Sequence, residues 1–251
     1  MRKPFQGVWN IVRFNWHFFV VVLILLITLI FISIQLDATY QTYCYGIGIL
    51  LILPTVLSLL VSFYVYDWSN LYEFKWIQQL DIPKSAQLVN INAGFDETSA
   101  LIAQKFPTAQ LSVFDFYNPK QHTEVSIKRA RKAYPPYPNT QSISTNRLPL
   151  EAQTVDAIFA ILSAHEIRDA NERIAFFQAL ARSLKNDGQI IITEHLRDLP
   201  NFLAYNIGFF HFHSKTTWQQ TFKAANLTVV QSIPNTPFIT TFILKKNGTP
   251  S

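Results

Sequence analysis

Residues 88–119 read LVNINAGFDETSALIAQKFPTAQLSVFDFYNP, and this stretch decides the fold of the chain. Two short runs, at residues 87–92 and 110–114, are rich in the apolar and β-branched residues that are typical of buried strands. Between them, residues 97–105 have the apolar spacing of an amphipathic helix. A strand, a helix and a second strand in this order predict two parallel strands with a helix packed on their sheet.

The same alternation continues toward the C-terminus. Further helices are predicted at residues 123–133, 171–184 and 215–225, and further strands at 141–144, 157–162 and 189–194. The last two β-rich runs, at residues 228–233 and 238–245, are not separated by a helix and are expected to pair antiparallel. We therefore predict one α/β domain over residues 85–251, a Rossmann-like doubly wound sheet that is mostly parallel with an antiparallel C-terminal edge.

Two uncharged apolar blocks precede this domain, in residues 1–66. Residues 16–36 read WHFFVVVLILLITLIFISIQL, and residues 45–66 read YGIGILLILPTVLSLLVSFYVY. A helix needs about 20 apolar residues to cross the hydrocarbon core of a bilayer, which is roughly 30 Å thick. Both blocks are long enough, so the sequence predicts a membrane anchor of two transmembrane helices.

The distribution of charge predicts the orientation of this anchor. Arg2, Lys3 and Arg13 precede the first block, whereas the link between the blocks contains Asp37 and no basic residue. Positive charge favours the cytoplasmic side, and two crossings return the chain to that side. We expect a two-pass integral membrane protein with both termini in the cytoplasm. Residues 67–84 are expected to form an interfacial helix with a largely aromatic face.

The charge and the composition limit the classes of binding partner. The net charge of +5 includes three basic residues of the anchor, so nucleic-acid binding is not expected. Cys44 is the sole cysteine, which excludes an internal disulfide. The expected partners are membrane lipids and a hydrophobic small-molecule acceptor.

Two residues at predicted strand ends indicate a nucleotide-type ligand. Gly94 follows the first strand, where a glycine lets the backbone approach a ligand closely. Asp115 ends the second strand, 21 residues after Gly94, and a carboxylate at about this interval can accept hydrogen bonds from a ribose diol. A tight turn with a solvated aspartate is the alternative interpretation of this pair.

Several segments, in order, resemble class I S-adenosylmethionine (SAM)-dependent methyltransferases over about residues 85–245. LVNINAGFDETSALIAQKFP resembles the first motif of that family, and LSVFDFYNP resembles its second strand with the terminal acid. ISTNRLPLEAQTVDAIFAILSAHEI, RSLKNDGQIIITEH and HSKTTWQQTFKAANL resemble the later motifs. The resemblance implies SAM as the cofactor and methyl transfer as the reaction.

The resemblance also implies which residues bind SAM. The implied positions are Asn90, Asn92, Gly94, Asp115, Phe116, Ser144, Thr145 and Ser163. Asp115 would bind the ribose and Phe116 would pack against the adenine. The chain departs from the family pattern because Asn90 replaces an acid, Asn92 and Asp96 replace glycines, and Ser144 replaces the acid that contacts adenine. Because of these changes, a domain that has lost its methyltransferase activity remains an alternative interpretation.

His165 and Glu166 are the predicted catalytic residues. They follow the fourth strand, where a histidine could take a proton from the acceptor; a purely structural hydrogen bond is the alternative. Glu194 and His195, after the fifth strand, are further candidates for the pocket; a structural pairing with Arg197 or Arg168 is the alternative. His211 and His213 are two residues apart, but no other ligands are near in sequence, so no metal site is predicted.

Residues 200–213, PNFLAYNIGFFHFH, are aromatic and uncharged, which favours a lid or a membrane-dipping element over a core helix. We therefore expect methyl transfer to a lipid-like acceptor at the cytoplasmic membrane face. Two alternatives remain: a silent scaffold with a SAM-binding fold, and a tethered methyltransferase for soluble or protein acceptors. A nicotinamide-dependent oxidoreductase is disfavoured, since the loop is too poor in glycine to bind a pyrophosphate.

Overall fold

The fold is a seven-stranded sheet with helices on both faces, as a computed structural model of residues 3–80, 82–122 and 124–248 shows. The strand order is β3-β2-β1-β4-β5-β7-β6. The strands are β1 Gln87–Asn92, β2 Gln110–Asp115, β3 Gln141–Ser142, β4 Val155–Ile161, β5 Leu184–His195, β6 Leu227–Thr236 and β7 Ile239–Lys246. The predicted fold class is confirmed.

Parallel pairing joins the first five strands, and β7 is antiparallel to both β5 and β6. The chain crosses from β1 to β2 on one side and later returns to place β4 on the other side of β1. The strand order reverses at this point, where doubly wound sheets bind their ligands beyond the carboxyl ends of the strands.

Eight α-helices lie within the described part of the chain. They are α1 Gln6–Phe14, α2 Trp16–Ser33, α3 Ala38–Phe63, α4 Ser99–Lys105, α5 Val125–Ala133, α6 Ala170–Ser183, α7 Leu199–Tyr205 and α8 Lys215–Ala224. The predicted start of α5, Thr123, lies outside the described residues. One face of the sheet packs against aromatic side chains of α6 and α8, such as Phe176 and Trp218. The other face packs against α4 and residues 74–77.

By length and composition, α2 and α3 are able to cross a membrane. The mean hydropathy of their most apolar windows is 2.7 and 2.4, and only 6% and 11% of those windows are buried within the protein. A core helix of a soluble protein would be mostly buried. Helix α3 begins at Ala38, seven residues earlier than predicted for the second apolar block, because the residues after Asp37 carry no charge and extend the helix.

Residues 67–84 do not form the predicted interfacial helix. A π-helical turn at Tyr64–Trp68 ends α3, and two 3₁₀ turns follow at Leu71–Glu73 and Lys75–Gln79. Phe74 has a left-handed backbone and is fully buried beneath the sheet together with Trp76. Phe74 and Trp76 therefore pack into the core, because a break in the helix lets them reach the sheet, while Trp68 stays 69% exposed.

The N-terminal helices are packed directly on the α/β domain. Val61 of α3 and Val65 of the π-helical turn form a buried cluster with Ala204 of α7 and Ile239 of β7. The Asp67 carboxylate accepts hydrogen bonds from the backbone N–H groups of Gly7 and Val8, at 2.7 and 2.8 Å. A carboxylate at this position stabilises the N-terminal end of α1. These contacts fix α1 beside the carboxyl ends of the strands.

Candidate functional site

A cavity of about 270 Å³ lies beyond the carboxyl ends of β1, β4 and β5. Its walls come from the loop after β1, the turn after β4, the segment after β5 and helix α5. Helix α1 supplies a further wall with Gly7, Asn10, Ile11 and Phe14. The sequence did not indicate this role for α1, because nothing local shows that residues before a transmembrane block fold back on a distant sheet.

The loop after β1 combines a glycine that the backbone requires with unpaired polar atoms. Gly94 has a φ of +99°, and a Cβ at this position would lie 3.0 Å from the Tyr117 ring. Asn90 is fully buried and donates to Thr98 Oγ1 and Ser99 Oγ, but its Oδ1 has no partner. Asn92 Oδ1 accepts from the Gly94 N–H, and its Nδ2 has no partner. A polar ligand at this edge would satisfy such groups.

Asp115 ends β2 and does not point into bulk solvent. Its side chain is 8% exposed, accepts a hydrogen bond from the Tyr117 N–H at 2.8 Å, and forms an ion pair with Arg131 of α5. The Arg131 guanidinium also stacks on the Tyr117 ring, 4.5 Å from its centroid. A ribose diol that binds Asp115 has to displace this guanidinium.

We predict that Arg131→Ala strengthens SAM binding by up to about fivefold, because a partly exposed ion pair contributes about 0–1 kcal/mol. Isothermal titration calorimetry on the detergent-solubilised chain measures the dissociation constant. Lys132→Ala, which removes an exposed neighbouring base on the same helix, is the matched control. Weaker binding by the Arg131 variant alone would show that this guanidinium holds the cofactor instead.

Four other predicted cofactor residues lie elsewhere than expected. The Phe116 ring is buried against Phe176 and His122, since successive side chains of an extended segment point to opposite sides. Ser144 is exposed and bonds Asn146, while Thr145 donates to Glu172 of α6. Ser163 Oγ donates to the Ile91 carbonyl and ties β4 to β1. Tyr117, which was not predicted, is the aromatic residue beside Gly94.

The two predicted catalytic residues come together with a third. His165 and Glu166 lie in the 3₁₀ turn Ala164–Glu166, and His211 approaches them from the 3₁₀ segment Asn206–His211. His165 Nδ1 is 2.6 Å from Glu194 Oε2, and His211 Nε2 is 2.9 Å from Glu166 Oε1. The pairing of Glu194 with Arg197 or Arg168 that the sequence allowed is replaced by this bond.

Charges around His165 oppose a role as a proton acceptor. Burial acts to lower the pKa of His165, but the carboxylates of Glu194 and Glu166 outweigh it and raise that pKa to about 10. Burial likewise acts to raise the pKa of Glu166, but hydrogen bonds with His165 and His211 lower it far below its usual range. With no cation at the cluster, these carboxylates favour the protonated form of His165, so its role as a proton acceptor stays a prediction.

His195 also lines the cavity and is neutral. Tyr66 Oη is 2.8 Å from His195 Nε2, and His195 Nδ1 is 3.0 Å from both Asn201 Oδ1 and the Phe238 carbonyl. This network fits an Nδ1–H tautomer that accepts from the tyrosine hydroxyl. Burial, which outweighs the hydrogen bond to Asn201, lowers the pKa of His195 to about 4.

The buried neutral His195 predicts a loss of stability in acid. The unfolded chain takes up this proton below about pH 6.5, whereas the folded protein does so only near pH 4, so stability falls as the pH falls through this window. Between pH 7 and pH 5 the loss amounts to about 2 kcal/mol. The test is the thermal unfolding of wild type and His195→Gln at both pH values.

His165 and His211 have raised pKa values and change stability in the opposite sense, so only the difference between the two proteins isolates His195. The wild type should lose more stability than the variant on acidification. Equal losses would show that His195 is not held neutral in the folded state.

Comparisons with known proteins agree with the geometry. Residues 101–192 match the sequence family described as "Methyltransferase domain". The crystal structure of a SAM-dependent methyltransferase from Aquifex aeolicus is similar, with a TM-score of 0.50, 14% identity, and coverage of 76% of this chain and 97% of that chain. At this identity the structural likeness shows the fold. No curated protein matches the chain.

A second similar structure is geranyl diphosphate C-methyltransferase from Streptomyces coelicolor A3(2), determined with Mg²⁺, geranyl diphosphate and S-adenosyl-L-homocysteine. Its TM-score is 0.51 and its identity 12%, and the match covers 71% of this chain and 79% of that chain. The two structures share the fold of this chain.

The residues present fit SAM. Gly94 provides a close backbone approach, Asn90 Oδ1 is an unused buried acceptor for an ammonium group, and Asp115 is a carboxylate for a ribose diol. The cofactor supplies a methyl group on a reactive sulfonium, so the protein has to align the acceptor and exclude water. The match of residues 101–192 to a methyltransferase-domain family, together with the shared fold, supports a class I S-adenosylmethionine-dependent methyltransferase.

Proposed function

We propose that the protein transfers a methyl group from SAM to a lipid-like or other hydrophobic acceptor at the cytoplasmic face of a membrane. The observation that carries this proposal is the position of α1. This helix precedes the first membrane-spanning candidate by one residue, Asn15, and also forms a wall of the cavity. An acceptor that leaves the bilayer along α1 would reach the site without crossing bulk water.

The surface of α1 supports this path. Its buried face carries Gly7, Asn10 and Phe14, while Phe5 and Trp9 are each 61% exposed. The Asn10 side chain accepts a hydrogen bond from Tyr134, and the Phe14 carbonyl accepts one from Arg129 of α5. One side of α1 is thus fixed to the domain, and aromatic side chains on the other side suit the headgroup region.

Helix α7 and the segment after it present a second apolar surface. Five large apolar side chains are exposed there, namely Leu199, Phe202, Leu203, Ile207 and Phe210. We name these five residues the membrane-facing patch; Ala204, which lies between them in sequence, is buried against the end of α3. A patch of this kind beside a membrane-spanning helix fits insertion into the bilayer interface.

Labelled-methyl transfer tests the proposal. The full chain in detergent–lipid micelles is incubated with methyl-labelled SAM and either a total lipid extract or a water-soluble metabolite extract. We expect label in the organic phase of the first reaction only. Label confined to water-soluble products would contradict the lipid acceptor while leaving the methyltransferase intact.

A further inference from the structure

Three side chains in the cavity direct their donor atoms toward one point. His165 Nε2 lies 3.3 Å from Glu166 Oε1, and His211 Nε2 lies 2.9 Å from the same oxygen. The ligand atoms of all three residues lie within 4.8 Å of one another. Two separate segments, one after β4 and one after α7, bring them together, so the cluster is a product of the tertiary fold.

The remaining nitrogen of each imidazole is held by a carboxylate. His165 Nδ1 is 2.6 Å from Glu194 Oε2, and His211 Nδ1 is 2.7 Å from Glu124 Oε1. Glu194 is fully buried, and its other oxygen accepts from the backbone N–H groups of Ser163 and His165. In a neutral imidazole, a carboxylate that accepts from Nδ1–H leaves Nε2 as the nitrogen that can coordinate a metal, which is how metal-binding histidines are oriented.

The charges around the cluster also suit a divalent cation. Glu124, Glu166 and Glu194 supply three negative charges, and the Arg168 guanidinium, which contacts the His211 ring and carbonyl, supplies one positive charge. With neutral imidazoles the cluster has an excess of two negative charges. One divalent ion balances this excess.

We propose that His165, Glu166 and His211 bind a divalent transition metal ion, with Zn²⁺ as the best match. Two imidazole nitrogens and one carboxylate oxygen are the ligand set of catalytic zinc sites that keep a coordination position open. Imidazole disfavours Mg²⁺ and Ca²⁺, which prefer oxygen ligands. All three ligands line the cavity, so the open position faces the space for an acceptor.

The metal site also limits the chemical class of the methyl acceptor. This inference rests on the proposed function. An open position on a metal binds a hydroxyl or phenol oxygen and favours the loss of its proton. The oxygen then forms a bond to the methyl carbon as the bond from that carbon to sulfur breaks. The electron pair remains on sulfur, and the hydroxyl proton passes to water. We therefore infer O-methylation of a hydroxylated lipid-like acceptor.

Cobalt titration of the full chain tests the metal site without relying on activity. The detergent-solubilised protein is stripped with a chelator and titrated with Co²⁺, which reports N and O ligation through its visible absorption bands. We expect one equivalent bound, with affinity at least 100-fold lower in Glu166→Ala and His211→Ala. Glu194→Gln, which removes the negative charge that holds His165 Nδ1, should lose 10- to 100-fold.

His213→Gln is the matched control. His213 is two residues from His211, but its Nε2 lies 3.2 Å from an Arg173 nitrogen, away from the cluster. It should bind Co²⁺ as the wild type does. SAM binding and thermal unfolding are measured for every variant, so that a misfolded variant is recognised and replaced by Glu166→Gln.

The outcomes separate the two proposals. No visible bands in a folded, SAM-binding wild type, or equal affinity in His211→Ala, would overturn the metal site whatever the acceptor is. A normal cobalt titration with no transfer to lipids would leave the metal site standing and reject the lipid acceptor. Methylation on carbon or nitrogen would reject only the inferred O-methylation.

Discussion

Asp115→Ala is expected to weaken SAM binding by about 10- to 100-fold. The carboxylate is the group at the end of β2 that can accept hydrogen bonds from both ribose hydroxyls, and hydrogen bonds to a charged group contribute about 1.5–3 kcal/mol. The loss should be larger than the effect of any other single substitution in this loop. Isothermal titration calorimetry with SAM on the full chain in detergent measures it.

Asp156→Ala is the control for this prediction. Asp156 is also a largely buried acid that pairs with a base, Lys185, and accepts a backbone N–H, that of Gln87. It lies at the amino ends of β1 and β4, across the sheet from the cavity, so SAM binding should not change. If Asp115→Ala binds SAM as tightly as the wild type, the ribose does not use this carboxylate. If the wild type itself does not bind SAM, a silent scaffold becomes the better account.

A double substitution in the membrane-facing patch, Ile207→Asp with Phe210→Asp, is expected to lower methyl transfer to lipids roughly 30-fold or more. The two side chains are 84% and 62% exposed, and burying each in the bilayer interface would contribute up to about 1.5–3 kcal/mol. The two introduced carboxylates remove this favourable free energy, because charged groups are not buried in the bilayer interface. SAM binding should stay unchanged, because neither side chain lines the cavity. The measurement is the initial rate with lipid extract in vesicles.

Val230→Asp is the matched control for the patch. Val230 is 46% exposed on the edge strand β6 and lies outside the patch. Its replacement adds the same charge to an apolar surface position and should leave lipid methylation within about twofold of wild type. Equal losses in both variants would mean that surface charge alone slows the reaction, and the proposed contact of the patch with lipid would be rejected.

The fold was largely predictable because its pattern is local. The central strands contain short apolar segments, such as residues 157–161 of β4 and 190–192 of β5, and turn residues separate the strands from the helices. The spacing of apolar residues and the position of turn-forming residues are sufficient to predict such elements. The prediction of a helix at residues 67–84 was wrong for a reason that is not local in sequence. Its aromatic spacing suited a helix, but the sheet offered Phe74 and Trp76 more burial when the chain broke into short turns.

The site was only partly predictable. Gly94 and Asp115 follow strands of a recognisable motif, so the sequence indicates their positions. Tyr117 and Arg131 carry no such pattern, since their meeting at Asp115 depends on how α5 packs. The metal cluster was missed because His211 lies 45 residues from Glu166, and only the tertiary fold brings them together.

A structure of the full chain in a lipid nanodisc with bound S-adenosylhomocysteine tests the central claim most directly. The account predicts the ribose hydroxyls on Asp115, with Arg131 displaced, and the sulfur facing a cavity whose mouth lies at the bilayer surface beside α1. A ligand bound away from the ends of β1 and β2, or a cavity that opens away from the lipid, would contradict it.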